Sequence, residues 1–387
     1  MIKVQTLNNI SAKGLEYLPR DTYEVSSECS APDAILLRSF KMHDMDISES
    51  LVAVGRAGAG VNNIPIPKMT EKGIAVFNAP GANANAVKEL VVAGMLMACR
   101  NLCDAWAYTG NLTGEDAEIS KAVEEGKKKF VGFELPGKTL GVVGLGAIGV
   151  RVANVAKSLG MNVIGFDPSI SVQSAWSLSA DVKPVASIEE MLQQVDFITF
   201  HVPLIEATKN LINAERITTM KKNVVIMNFA RDGIVDDEAV LSALADGKVG
   251  SYVSDFPSKV LKNQPGVITL PHLGASTGEA EENCAIMVAQ QVKDYIENGN
   301  VLNSVNFPQL SLARASDYRL AVSNENRPDM VSQISHILGK AKNNIIHMVN
   351  ESKGEIGYTL MDVDSEITDD VIAKLRALDG VLSARAM

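Results

Sequence analysis

Between Thr139 and Asp167 the chain reads as a strand (TLGVV), then Gly144-Leu145-Gly146-Ala147-Ile148-Gly149, then a helix over Val150 to Leu159, then a strand closed by Asp167, eighteen residues past Gly149. This pattern limits the fold severely, because a glycine turn that passes from strand to helix belongs to a β-α-β unit and so to a parallel sheet. The glycines permit a tight turn, close backbone approach to a pyrophosphate and close helix-to-strand packing, while the helix start offers unpaired amides and a positive dipole end. A carboxylate at Asp167 accepts hydrogen bonds from adenosine ribose hydroxyls and repels a 2′-phosphate, which selects NAD over NADP. Alone, the glycine string could be a turn with no ligand; the strand, helix and distal Asp in register favour the cofactor.

The same alternation extends in both directions. From Lys3 to about Asn101, apolar runs such as Ala34-Ile35-Leu36-Leu37, Leu51-Val52-Ala53-Val54 and Ile74-Ala75-Val76-Phe77 alternate with helix-like polar stretches. A second series runs from Leu140 through Asn162–Asp167, Phe197–Phe200 and Val224–Met227 to Val267–Leu270. The fold class expected is α/β, with two Rossmann-like doubly wound parallel-sheet domains. Lys88 to Ala107 reads as one helix buried on more than one side, suited to a domain crossing or subunit contact. Ala280 to Asn298 reads as a returning helix, and Gly299 to Ala315 as a polar linker. Tyr318 to Met387 has the β-α-β-β-α-β order of a ferredoxin-like domain.

Charge narrows the partners. With 36 Lys plus Arg against 46 Asp plus Glu, the net charge is −10, which on average repels nucleic acid and anionic lipid. Neither an apolar run of about 18 residues nor a cationic start followed by an apolar stretch is present, so a soluble intracellular protein is expected. Four cysteines are sparse for 387 residues, which suits a reducing cytoplasm, and Cys99/Cys103 have helical rather than metal-site spacing, so no metal is expected.

Two strand ends of the second series carry chemistry. Asn228-Phe229-Ala230-Arg231-Asp232-Gly233 follows Val224–Met227, and Pro271-His272-Leu273-Gly274-Ala275-Ser276 follows Val267–Leu270. Open α/β sheets bind ligands at such ends. A guanidinium there holds a carboxylate in a two-pronged bond, and an imidazole takes the proton of an alcohol as hydride leaves. By themselves Arg231 could be a salt-bridging surface residue and His272 a satisfied structural histidine. His201-Val202-Pro203 follows a strand as well, and His201 could be a structural histidine or could border a nicotinamide.

Together GRAGAGVNNI from Gly55, GLGAIG from Gly144, HVPLIEATKNLIN from His201, NFARDGIVDDEAVLSAL from Asn228 and PHLGAST from Pro271 resemble the D-isomer-specific 2-hydroxyacid dehydrogenase family over about residues 3 to 310. The resemblance implies a substrate domain over residues 1–99, completed by 281–310, an NAD-binding domain over 100–280, and a regulatory ACT domain over 317–387. It implies that Arg231 binds the substrate carboxylate and C2 oxygen and that His272 is the acid/base. It implies cofactor contacts from Gly144, Gly146, Ala147, Ile148, Gly149, Asp167, His201, Val202, Pro203, Thr208, Asn228, Ala230, Arg231, Asp255, His272 and Gly274, with Asp255 beside the nicotinamide carboxamide. Arg38, Ser39, Lys41 and Arg56 resemble a group that holds a substrate phosphate, and the backbone of Ala57-Gly58-Ala59-Gly60 one that cradles a carboxylate. The expected substrate is a small phosphorylated hydroxy acid, 3-phosphoglycerate, oxidised to 3-phosphohydroxypyruvate at the entry to serine synthesis. Glycerate or 2-hydroxyglutarate, and a non-catalytic NAD-sensing protein, are the alternatives.

The sequence departs from that family where a Glu should pair with the catalytic His: Asp255-Phe256-Pro257-Ser258-Lys259-Val260 has none. A cation at Lys259 would oppose protonation of a neighbouring imidazole. Three readings follow: another carboxylate reaches His272, Lys259 itself handles substrate or proton, or activity is reduced. In the C-terminal domain Asn324, Asn326 and Asn344 stand at positions where the resembling ACT domains bind serine between subunits, so a serine effector is one expectation and a purely dimerising role the alternative, with a homodimer or homotetramer in either case.

Overall fold

Short buried aliphatic runs build the first sheet: β1 (Ile2–Leu7), β2 (Tyr23–Ser26), β3 (Ala34–Leu37), β4 (Ala53–Arg56) and β5 (Ala75–Phe77), all parallel, in the order β2-β1-β3-β4-β5. Every residue of β3 and β5 is buried, the mark of strands covered on both faces. Gly55 lets helix Gly278–Asn298 close on this sheet, since a Cβ there would lie 3.0 Å from Val292.

The second sheet holds β6 (Thr139–Val143), β7 (Asn162–Phe166), β8 (Lys183–Pro184), β9 (Phe197–Phe200), β10 (Val224–Asn228), β11 (Val249–Ser254) and β12 (Val267–Thr269). Its order, β12-β11-β10-β9-β6-β7-β8, reverses between β6 and β9, and all strands are parallel. The glycine turn lies at that reversal, where doubly wound sheets open a crevice.

The third sheet is antiparallel: β13 (Tyr318–Glu325), β14 (Ile345–Lys353), β15 (Ile356–Val363) and β16 (Val381–Ala386), in the order β14-β15-β13-β16. Helices Met330–Ala341 and Asp369–Arg376 complete a ferredoxin-like β-α-β-β-α-β unit.

The computed structural model describes all 387 residues. Met1–Asn83 and Gly278–Met387 form one packed unit, and Ala84–Thr277 the other. The ferredoxin-like sheet thus shares a unit with the first sheet, and the two share a core. Phe77, Tyr295, Phe307 and Tyr358 stack in one aromatic cluster, the Arg385 guanidinium sits 4.4 Å from the Tyr295 ring centre, and the Tyr358 hydroxyl donates to the Gly299 carbonyl at 2.7 Å.

Three readings of the sequence are corrected here. The segment 299–315 is no free linker: Val301 and Phe307 are wholly buried and Leu310 nearly so, and the Asn306 amide reaches the Thr70 hydroxyl and the Ile74 carbonyl. Its few apolar residues are spent on the shared core, which composition averages out. The continuous helix from Lys88 to Ala107 is two, Ala84–Cys99 and Leu102–Gly110, bent by 69°. The break falls at Asn101, whose φ of +49° is a left-handed conformation that asparagine tolerates. Helix Ala84–Cys99 packs in the unit of the second sheet, where a Cβ on Gly94 would lie 2.8 Å from the Phe229 ring, so the packing boundary falls at Asn83 and not at 99. No residue of helix Leu102–Gly110 is fully buried within this chain, and Trp106 is 80% exposed. No single helix is long and apolar enough to cross a membrane.

Candidate active site

Each glycine of the turn after β6 has its own steric task. Gly144 has φ of +87°, and a Cβ there would lie 2.5 Å from the His201 carbonyl oxygen. A Cβ on Gly149 would lie 1.9 Å from the Gly144 oxygen, so only glycine lets helix Ala147–Ser158 close on the turn. Gly146, at the helix N-cap, faces open space, and no side chain caps the helix. Its first amides are therefore left for a ligand. A pocket of about 430 Å³ adjoins Gly146 and Ala147, with Arg151, which has no ion pair, on its wall. Asp167 accepts the amides of Leu145 and Ser169, both at 2.8 Å, and each oxygen keeps a lone pair for a ribose hydroxyl.

Across the turn, His201 follows β9. Its Nε2 lies 3.2 Å from the Thr199 hydroxyl, while Nδ1 is shielded from solvent and has no partner. Burial pushes the imidazole down to about 3, so it is neutral at any working pH. The unfolded chain takes up a proton near 6.5 that the folded chain refuses, so His201 supports folding above that pH and erodes it progressively as pH falls toward 3. Replacing His201 by Asn is expected to flatten the decline of melting temperature between pH 6.5 and 4 and to leave both limbs of the pH–rate profile in place. A moved limb would mean that His201 titrates during turnover. Val202 packs beside Gly144. Thr208 spends its hydroxyl on the Pro203 carbonyl at 2.6 Å and accepts the Ile205 amide, ordering the loop.

After β10, the buried Asn228 amide donates to the Arg231 carbonyl at 2.9 Å and its oxygen accepts the Ala230 amide at 3.2 Å. Asn228 is thereby committed to the loop's shape. Arg231 is exposed and gives only Nη1 within the protein, to the Ala230 carbonyl at 2.7 Å. Its remaining donors face water.

After β12, His272 takes φ of +57°, left-handed and uncommon for any residue but glycine or asparagine. Asp255, buried at the end of β11, holds it there. Its carbonyl accepts the His272 amide at 3.1 Å, and its two carboxylate oxygens accept the Leu273 and Gly274 amides at 2.7 and 2.9 Å. Burial pushes the Asp255 carboxyl up, against the pull of those amides and of the His272 charge. No carboxylate hydrogen-bonds the His272 ring. The Phe256 ring lies beside it, centroids 5.0 Å apart and tilted by 59°. Lys259 is exposed, with no hydrogen bond or ion pair.

In the other unit, β3 and β4 are neighbours, and their carboxyl ends carry the cationic group. Arg38 pairs with Glu281 at 2.7 Å, and its carbonyl accepts Arg56 Nε at 3.0 Å. The Ser39 amide donates to Asn8 Oδ1 at 3.2 Å, and Lys41 is exposed. A Cβ on Gly58 would lie 1.8 Å from Arg56 Nη1, so glycine makes room for that guanidinium. The four-residue cradle is narrowed here: the Ala57 amide is used by the Leu37 carbonyl and the Gly58 amide by the Arg56 carbonyl, which leaves Ala59 and Gly60.

Among the C-terminal asparagines, Asn324 is buried with an unpartnered Oδ1, and Asn326 donates to the Gly354 carbonyl at 3.0 Å. Asn324 stands opposite Gly357 in β15, whereas Asn344 precedes Ile345, opposite Val363. At about 3.3 Å per residue that is roughly 20 Å along the strand. One copy cannot bring the three together.

Sequence reading missed Phe256 and Glu281, because a ring contact and a cross-chain ion pair have no local signature; Phe256 adjoins Asp255 in sequence, the one signal available.

A glycine turn at the reversal of a parallel sheet, an aspartate for a ribose, and an Arg and a His at nearby strand ends define a dinucleotide-binding α/β protein. Residues 92–274 match the family model described as D-isomer specific 2-hydroxyacid dehydrogenase, NAD binding domain. The chain is similar to D-3-phosphoglycerate dehydrogenases of Haemophilus influenzae (34% identity, 89% of this chain, 83% of the relative) and Methanocaldococcus jannaschii (40% identity, 77% of this chain). It spans only 56% of the latter's length. It is also similar to a solved NAD+-bound 3-phosphoglycerate dehydrogenase of Entamoeba histolytica (TM-score 0.60, 27% identity, 80% of this chain, 99% of that one). The chain belongs to the D-isomer-specific 2-hydroxyacid dehydrogenase family. The open amides at Gly146, the spare lone pairs of Asp167 and the orphaned His201 Nδ1 fit NAD.

Proposed function

We propose that the chain oxidises 3-phosphoglycerate to 3-phosphohydroxypyruvate with NAD, the reaction that opens serine synthesis. The observation that carries this reading is Arg231 with unspent donors on the same sheet as a His272 held in place by Asp255. Bound NAD supplies the acceptor for the hydride that leaves C2. Asp167 holds the ribose hydroxyls, and the amides at Gly146 the pyrophosphate. Arg231 binds the carboxylate and C2 oxygen in a two-pronged contact, and a ring nitrogen of His272 takes the hydroxyl proton. Ala59 and Gly60 amides add donors for the carboxylate, and Arg38, Ser39, Lys41 and Arg56 hold the phosphate. Lys259 stays a second proton-handling candidate, because nothing else in the chain engages it.

The C-terminal domain acts as an ACT-type regulator in this reading. Its edge strand β14 is exposed along most of its length, and antiparallel pairing of two such edges would set Asn344 of one copy beside the Asn326–Gly354 end of the other, forming a serine site that needs a homodimer. Four free thiols suit the cytoplasm.

The test is the rate of NADH oxidation with 3-phosphohydroxypyruvate, hydroxypyruvate and 2-oxoglutarate. A strong preference for the phosphorylated acid is expected, and equal rates would sink the substrate assignment. Arg38→Ala should raise KM about 10- to 100-fold for the phosphorylated acid alone, the worth of one charge-assisted bond. An unchanged KM would remove Arg38 from the phosphate site.

A further inference from the structure

The missing carboxylate partner of His272 leaves a physical problem. An imidazole that takes a proton becomes a cation, and a catalytic ring must also be held within a narrow range of orientations. No carboxylate hydrogen-bonds the His272 ring here: both Asp255 oxygens accept backbone amides, and Lys259 carries the opposite charge.

We propose that Phe256 is the positioning residue for His272 and that its ring stabilises the imidazolium in place of the absent carboxylate. The ring centres are 5.0 Å apart, within the roughly 6 Å over which an aromatic quadrupole attracts a cation. Both rings hang from one clamp. Phe256 follows Asp255 directly, its amide donating to the Ser254 hydroxyl at 3.1 Å, and Asp255 fixes the backbone of His272, Leu273 and Gly274. The two rings are therefore set by one rigid junction between β11 and the loop after β12. Asp255 is the charged group that couples to His272, and Lys259 makes no hydrogen bond or ion pair. This inference rests on His272 being the acid/base.

The experiment uses the full chain, with kcat and KM measured for 3-phosphohydroxypyruvate reduction. Phe256→Leu should lower kcat about tenfold with KM and melting temperature nearly unchanged, and Phe256→Tyr should restore most of it. Phenylalanines carrying one, two and three ring fluorines at 256 keep the shape and progressively cancel the quadrupole, so kcat should fall stepwise along the series. A Leu variant as active as the parent, or a flat fluorine series, overturns the proposal. His272→Asn separates the two levels. If it keeps full activity, the acid/base assignment itself fails, whereas loss in His272→Asn with a flat fluorine series removes Phe256 alone.

Discussion

Asparagine in place of His272 is expected to lower kcat by about 10²–10⁴-fold, the usual share of a positioned acid/base, and to leave the melting temperature within a degree or two. Asparagine suits this test because the position has φ of +57°, which most side chains resist and asparagine accepts, so the loop keeps its shape while the proton acceptor is lost. The amide that binds the Asp255 carbonyl belongs to the backbone and survives the change. Lys259→Ala is the companion variant. If His272 carries the proton, Lys259→Ala changes kcat by no more than a few-fold. A loss confined to Lys259→Ala would transfer the acid/base role to that lysine and leave His272 a structural residue.

The second large effect concerns the join between the ferredoxin-like domain and the first sheet. Arg319 and Asp362 are wholly buried and paired through two hydrogen bonds of 2.6 and 3.0 Å, and Arg319 Nη1 also donates to the carbonyls of Asn298 and Leu312. This one guanidinium thus binds β15, the end of helix Gly278–Asn298 and the segment after it. Asp362→Asn is expected to cost about 3–5 kcal/mol, because it strands a buried cation, lowering the melting temperature by on the order of 10 °C. A double replacement, Arg319→Met with Asp362→Leu, should recover most of that loss, since both desolvation costs disappear with the charges. Equal loss in single and double variants would show that the hydrogen bonds to Asn298 and Leu312 matter more than the charge pair. Desolvation pushes the Asp362 carboxyl up, but the Arg319 bonds and the Ala315 amide outweigh it and hold the group below the ordinary carboxylate range. The folded value lies below the unfolded one of about 3.9, so this contribution is complete above that pH and is lost as pH falls beneath it. Acid unfolding should therefore steepen below pH 4 in the parent and not in the double variant.

Both β-α-β series, the glycine turn with Asp167 and the ferredoxin-like order could be read from residue order alone, and the candidates Arg231 and His272 stand out in the same way. Each rests on a signal within a few residues: an apolar run, a glycine spacing, or a polar residue just past a strand. Such signals survive without knowledge of what lies across the sheet. Asn101 shows where that fails, because its neighbours promise a continuous helix and its left-handed backbone, with φ of +49°, turns one into two. The segment 299–315 shows the same for burial, since Phe307 is a lone aromatic in polar company until Tyr295 and Tyr358 close around it. The partners of the site residues belong wholly to tertiary structure: Glu281 meets Arg38 across 243 positions, and Phe256 meets His272 through a junction of two strand ends. Spacing along the chain carries no information about such contacts, because loop closure costs grow only slowly with length and leave the choice of partner to packing and charge.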